Sequence, residues 1–173
     1  MLAMNVIAAH ARFDALIADL TAAIHGAETD PRDVAAAMAP HCTDPTLLAG
    51  RDLSSDADRY IRHKLHEDPE GGWALAALVW CPGQMSPVHA HHVWCAVGFH
   101  RGVLAETFYE QGGSGVVPSS IVMRRPGDRS FGLPRPDAIH RLANLGTEVA
   151  VSLHAYGLPY ARFCSDLNQV YAA

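Results

Sequence analysis

From residue 73 to residue 156 the apolar runs are short, and each is soon followed by proline or glycine. That punctuation constrains the fold more than any other feature of the chain. Residues 73–81 read as one strongly apolar strand, turned by Pro82-Gly83. Further strand runs follow at 88–99, 103–109, 121–124, 139–143 and 149–156, with Gly112-Gly-Ser-Gly115 as a flexible loop. The chain ahead of them has another character. Phe13, Leu16, Ile17, Leu20 and Ile24 recur at helical spacing over residues 9–24, with Gly26 as a stop. Asp30 and Pro31 read as an N-cap and first-turn proline of a helix that runs through 33–39 and ends at Pro40. A third helix is expected over residues 55–66, packing through Tyr60 and Leu65 and broken by Asp68-Pro-Glu-Gly-Gly72. Helices first and short strands after predict an all-β, antiparallel jelly-roll barrel with N-terminal α-helices. The reading is one domain over residues 1–173, with a helical cap at 1–70 and the barrel at 71–173.

Within the strand run over 88–99 stands His89-Ala-His91. On a strand, side chains two apart share a face, so these imidazoles point the same way and form a half-site for Zn, Cu, Fe or Ni. His140, in another strand run, can supply a third ligand. His92 should face away, and His100 is expected as a solvated strand residue. Ser152, His154 and Tyr156 alternate along one further strand and also share a face. They do not read as a hydrolase triad, because nucleophile and base lie two apart on one strand with no acidic orienter.

Gly83, His89, His91 and Gly102 fall in register with the first motif of the cupin family, G-x5-H-x-H-x3-E-x6-G, and His140-x3-Asn144 resembles the end of its second. The P-x-G that normally precedes the second motif is unmatched, since Asp137 sits at the glycine position. Cys95 stands where most cupins place a metal-binding Glu. The missing Glu and the Ser152-Leu-His154-Ala-Tyr156 run resemble the thiol dioxygenase branch, the cysteine dioxygenase and 3-mercaptopropionate dioxygenase group, over residues 60–164. The resemblance implies a cupin barrel that binds Fe(II) through His89, His91 and His140. Ser152 would orient His154, which would hold the Tyr156 hydroxyl at the reacting sulfur. Animal cysteine dioxygenases join a Cys near position 95 to the active-site Tyr by a thioether; the spacing here is one residue shorter, so a Cys95–Tyr156 bond and a free thiol both stay open. Tyr60-Ile-Arg62 resembles the Y-x-R of cysteine dioxygenases, whose Arg grips the substrate carboxylate. The runs from Val79 to Gln84 and from His91 to Trp94 are more similar to the mercaptopropionate enzymes. Arg162 is a second candidate clamp. The implied activity is oxidation of a small carboxylate-bearing thiol, cysteine or similar, to its sulfinate with O2. Alternatives are a mercapto-acid dioxygenase and, in another class, a non-enzymatic metal-dependent binding protein.

The composition excludes several classes. A net charge of −5 without any Lys/Arg run argues against nucleic-acid binding. No signal peptide or membrane span is read. The four Cys include no C-x-x-C pair, which argues against a zinc module or disulfide framework and favours the reducing cytoplasm.

Overall fold

The computed structural model describes residues 2–25, 28–113 and 115–172, with backbone only for residues 2–7. Helix α1 (Leu2–Ala23) buries Phe13, Leu16 and Leu20, the stripe that helical spacing predicts. It starts earlier than residue 9, and the expected stop at Gly26 lies outside the described residues. Helix α2 (Pro31–Met38) begins as read: the Asp30 side chain accepts from the Arg32 N–H, with Pro31 at the first turn. Val34, Ala35 and Met38 are its buried face. Among the described residues no helix is long and apolar enough to cross a membrane.

The expected third helix does not form. Residues 55–60 are irregular, and Ile61–Glu67 is strand β1, antiparallel to β2 (Ala74–Trp80). Strand β2 is buried at every position, so its backbone N–H and C=O groups must be paired on both sides. That tertiary demand overrides the weak local preference of residues 55–66. The sheet therefore starts at Ile61, ahead of the boundary read at residue 71.

The single strand expected over 88–99 is two strands. Strands β3 (Val88–His91) and β4 (Cys95–Arg101) lie in different sheets, separated by a bend. The remaining strands are β5 (Leu104–Gly112), β6 (Gly115–Arg124), β7 (Arg129–Gly132), β8 (Ile139–Ala143), β9 (Ala150–Tyr156) and β10 (Asn168–Tyr171). One sheet has the order β1-β2-β9-β4-β7 and the other β10-β3-β8-β5-β6, all antiparallel. Strands β7 and β10 are the short edge members that the sequence reading missed.

The first sheet is covered on both faces. Leu75, Ala77 and Val79 of β2, with Val151, Leu153 and Ala155 of β9, pack under the helices against Leu16, Leu20 and Met38. The intervening Ala76, Leu78 and Trp80, with Ala150 and Tyr156, face the barrel interior. His100 is buried here, not solvated: its Nδ1 lies 3.3 Å from the Cys42 carbonyl, because the turn after α2 folds over β4.

Gly102 turns β4 into β5 at φ +73°, and a Cβ there would lie 2.9 Å from the Ala150 Cα. Gly83 also has a positive φ, +84°, but open space around it. An Ala at Gly83 meets only the left-handed backbone penalty of about 1–2 kcal/mol. Gly102→Ala adds a clash with backbone that cannot rotate away, so it should cost more by about 1–3 kcal/mol. Urea unfolding of the two variants measures the difference; equal losses would remove the close approach at Ala150.

Candidate metal centre

Strand β3 turns His89 and His91 inward and sends Val88 and Ala90 to the outer face, where they join a separate apolar cluster. His140 on β8 is the direct cross-strand partner of His89. One ring nitrogen from each comes within 4.8 Å of the others, and all three residues are buried.

The outward nitrogens determine the tautomers. His89 Nδ1 lies 2.9 Å from the Pro87 carbonyl and His140 Nδ1 lies 3.0 Å from Glu106 Oε1. A carbonyl and a carboxylate accept, so both Nδ1 atoms carry the proton and both Nε2 atoms present a lone pair inward. Asn168 of β10 is the ladder partner of His91, although neither His91 Nδ1 nor Asn168 Oδ1 has a well-aligned hydrogen bond. Burial, then the neighbouring His140, pushes the His89 pKa down to about 3. Burial first, then His89 and His140, holds His91 well below the usual imidazole range. His91 Nε2 and His140 Nε2 stand 3.2 Å apart. His140 Nε2 presents its lone pair there, and no partner on His91 Nδ1 fixes the proton of that ring, so His91 is free to turn a second lone pair towards a cation. The donors fit a metal ion with an affinity for neutral imidazole.

Above this group runs a relay on β9. The Trp80 indole N–H donates to Ser152 Oγ at 3.0 Å. Ser152 Oγ lies 2.8 Å from His154 Nε2, and His154 Nδ1 lies 3.0 Å from Tyr156 Oη. Burial holds His154 neutral, its pKa well below the usual range. Among the described residues Ser152 Oγ has no acceptor other than His154, so its proton goes to Nε2 and His154 donates Nδ1–H to Tyr156. The Tyr156 hydroxyl hydrogen is then left to point at Cys95, its partner in the ladder, or into the cavity. The Tyr156 ring sits edge-on to His91, centroids 5.4 Å apart, and burial above all keeps its phenol protonated.

Cys95 lies opposite Tyr156 in the β4–β9 ladder and hydrogen-bonds with it. Burial pushes its thiol pKa far up, and it is not one of the clustered metal donors.

Tyr60 and Arg62 lie at the start of β1, not on a helix. Arg62 pairs with Leu78 in register and so faces the interior. Its Nη2 donates to Tyr60 Oη at 3.2 Å, while its buried Nε has no partner. Tyr60 stacks on Trp80 with centroids 4.4 Å apart. Both residues line the small cavity over the three histidines, and both also line an outer vestibule of about 450 Å³ with Phe163 and Cys164. Arg162 does not join them. It is exposed and paired with Asp166, which removes it as a clamp. His92 is exposed, as its alternation predicts.

The sequence reading brought together the three histidines, the Ser-His-Tyr strand, Cys95, Tyr60 and Arg62. It missed Glu106, Trp80 as a donor, and Asn168. Glu106 had a signal: one carboxylate in register with Leu104 and Phe108 on an otherwise apolar strand face. Asn168 had none.

A family model described as cysteine dioxygenase type I matches residues 1–169. Among solved structures, the protein TT1209 from Thermus thermophilus is 15% identical, with 67% of this chain and 95% of that chain covered at a TM-score of 0.50. A cupin 2 conserved barrel domain protein from Rhodopseudomonas palustris is 20% identical over 68% of this chain and 73% of that one, TM-score 0.48. An uncharacterized conserved protein with a double-stranded beta-helix domain from Klebsiella pneumoniae is 19% identical over 62% and 80%, TM-score 0.47. With two antiparallel sheets of five strands each among the described residues, the architecture is the mostly-β cupin barrel.

Metal binding to the folded state alone should raise stability. At a hundredfold excess over Kd the gain is about 2.7 kcal/mol, or about 5–10 °C in Tm for a chain of this length. Adding Fe(II) without oxygen, or Co(II), to metal-free protein should give that shift by calorimetry. His140→Ala should abolish it; a full shift in that variant would exclude His140 as a ligand.

Proposed function

The chain belongs to the cysteine dioxygenase type I family, and on that premise we propose that it is an Fe(II)-dependent thiol dioxygenase. The reaction is RSH + O2 → RSO2H, in which both oxygen atoms end on the sulfur of a small carboxylate-bearing thiol. The observation that carries the reading is the shared cavity of three convergent imidazoles and a half-buried arginine whose Nε is buried without a partner. Iron would supply the electron chemistry that lets dioxygen react with a thiol, and a positive charge that favours the thiolate.

The chain's own groups divide the remaining work. His89, His91 and His140 hold the metal without contributing charge. Cys95, in place of a carboxylate, leaves that charge undiminished. Arg62 holds the far end of the substrate, since a guanidinium stays charged and meets a carboxylate with parallel hydrogen bonds. Tyr60 steadies Arg62. Tyr156, fed by Ser152 and His154, donates its phenol hydrogen bond beside the reacting atoms. Holding one end of the thiol by charge and the other by its sulfur turns a chance encounter into an oriented one. The four cysteines are free, which suits the reducing cytoplasm.

A second reading concerns the substrate. Cysteine carries an ammonium, and none of the residues lining the inner cavity is a carboxylate that could pair with it. That favours a mercapto-acid such as 3-mercaptopropionate, against the weak preference for cysteine drawn from Arg62. Oxygen uptake by iron-loaded protein with cysteine, 3-mercaptopropionate, cysteamine and mercaptosuccinate in turn discriminates them. Uptake with none of the four would leave a metal-dependent binding protein.

Two variants test the roles. Tyr156→Phe should retain iron and lose more than about tenfold in kcat/KM, about 1.4 kcal/mol of transition-state stabilisation; unchanged kinetics would reduce the Ser-His-Tyr strand to architecture. Arg62→Ala should retain iron and raise KM for carboxylate thiols by about 10–100-fold, the worth of a hydrogen bond to a charged group. Equal KM values for wild type and variant would place the clamp elsewhere.

A further inference from the structure

Glu106 has no solvent exposure, and a carboxylate in that position demands a reason, because burying a charge is costly unless it is fully paired. Its pairing is complete. Oε1 accepts from His140 Nδ1 at 3.0 Å and from Ser130 Oγ at 2.8 Å. Oε2 accepts from Arg124 Nε and Nη2, each at 2.8 Å. An ionised carboxylate offers about four acceptor sites, and four donors fill them. The donors come from both sheets: Ser130 from β7 of the first, Arg124 from β6 and His140 from β8 of the second. A structural ion pair needs only Arg124. The contact with His140 is the one a sheet-to-sheet tie does not require.

We propose that Glu106 is a positioning residue for the metal: it holds His140 with its proton on Nδ1, aims Nε2 at the metal position, and sets a fixed negative charge directly behind that ligand. Arg124 and Ser130 act through Glu106, holding it charged and fixed in orientation. A histidine ligand held this way is a stronger and better-aimed donor. This inference rests on the metal-centre reading above and not on the thiol reaction.

The test reads the metal and the tautomer rather than turnover. Metal-free wild type, Glu106→Gln and Ser130→Ala are titrated with Co(II) and followed by ligand-field absorbance. The ring nitrogens of His140 are read by 15N NMR before metal is added. Wild type should show the proton on Nδ1. Glu106→Gln should bind Co(II) about 10–100-fold more weakly, with shifted bands and a mixed tautomer. Ser130→Ala, which leaves the carboxylate on His140 and Arg124, should lose less than tenfold. A wild-type spectrum with the proton on Nε2 would overturn the proposal without any variant, even if Glu106→Gln fails to fold. Unchanged Co(II) affinity and tautomer in Glu106→Gln, with only a lowered Tm, would make Glu106 a sheet tie and overturn it too. Failure of wild type to bind Co(II) would overturn the metal centre itself, whereas binding without oxygen uptake would leave this inference standing and remove only the thiol reaction.

Discussion

Pairing on both sides and packing on both faces hold strand β9 in the middle of the first sheet. Its outward residues seal against the helices, and its inward residues have no solvent to turn to. A one-residue slip would put Ser152, His154 and Tyr156 into the helix-facing layer and Leu153 into the cavity. The register that secures the apolar core therefore also aims the relay. The same holds on β3, where Val88 and Ala90 anchor the outer cluster and thereby turn His89 and His91 inward. Chemistry at this site is positioned by residues that take no part in it.

The electrostatic layout follows from that burial. Imidazoles in a dry interior remain neutral, as His89, His91 and His154 do. The fixed charges nearby are Arg62 in the cavity wall and Glu106 on the far side of His140. A dipolar arrangement results, with the positive end where the inner cavity meets the vestibule and the negative end behind His140. Desolvation strengthens both effects because few water dipoles oppose them.

What could be read from the chain was whatever has a local period. His89-x-His91 and Ser152-x-His154-x-Tyr156 each repeat at two residues, so strand formation alone puts them on one face. The apolar runs of β2, β4 and β9 are long enough to declare themselves. Strands β1, β7 and β10 are different: Ile61–Glu67 is half polar, and Arg129–Gly132 and Asn168–Tyr171 are short edge segments. Such strands exist because a buried neighbour has unpaired backbone groups to satisfy, and that need is invisible from their own residues. Arg62, singled out through Tyr60-Ile-Arg62, lines the inner cavity even though its expected helix does not form, because on β1 its pairing with Leu78 turns it into the barrel. Glu106 meets His140 across 34 positions of sequence, and only the β5–β8 ladder brings them together.

The exchange of a carboxylate for Cys95 connects these points. A carboxylate at that position, opposite Tyr156 in the ladder, would compete with the proposed anionic substrate for the charge of a bound metal. Glu106 sits outside, separated from the metal position by the whole imidazole of His140. From there it can fix a tautomer and strengthen a donor while blocking no coordination position. Arg124 takes its second oxygen, which leaves the first to His140 and Ser130. On the proposed reaction, a site that takes a thiolate and a carboxylate together is better served by anionic support behind a neutral ligand than by an anionic ligand, and Cys95, protonated and buried, fits that division.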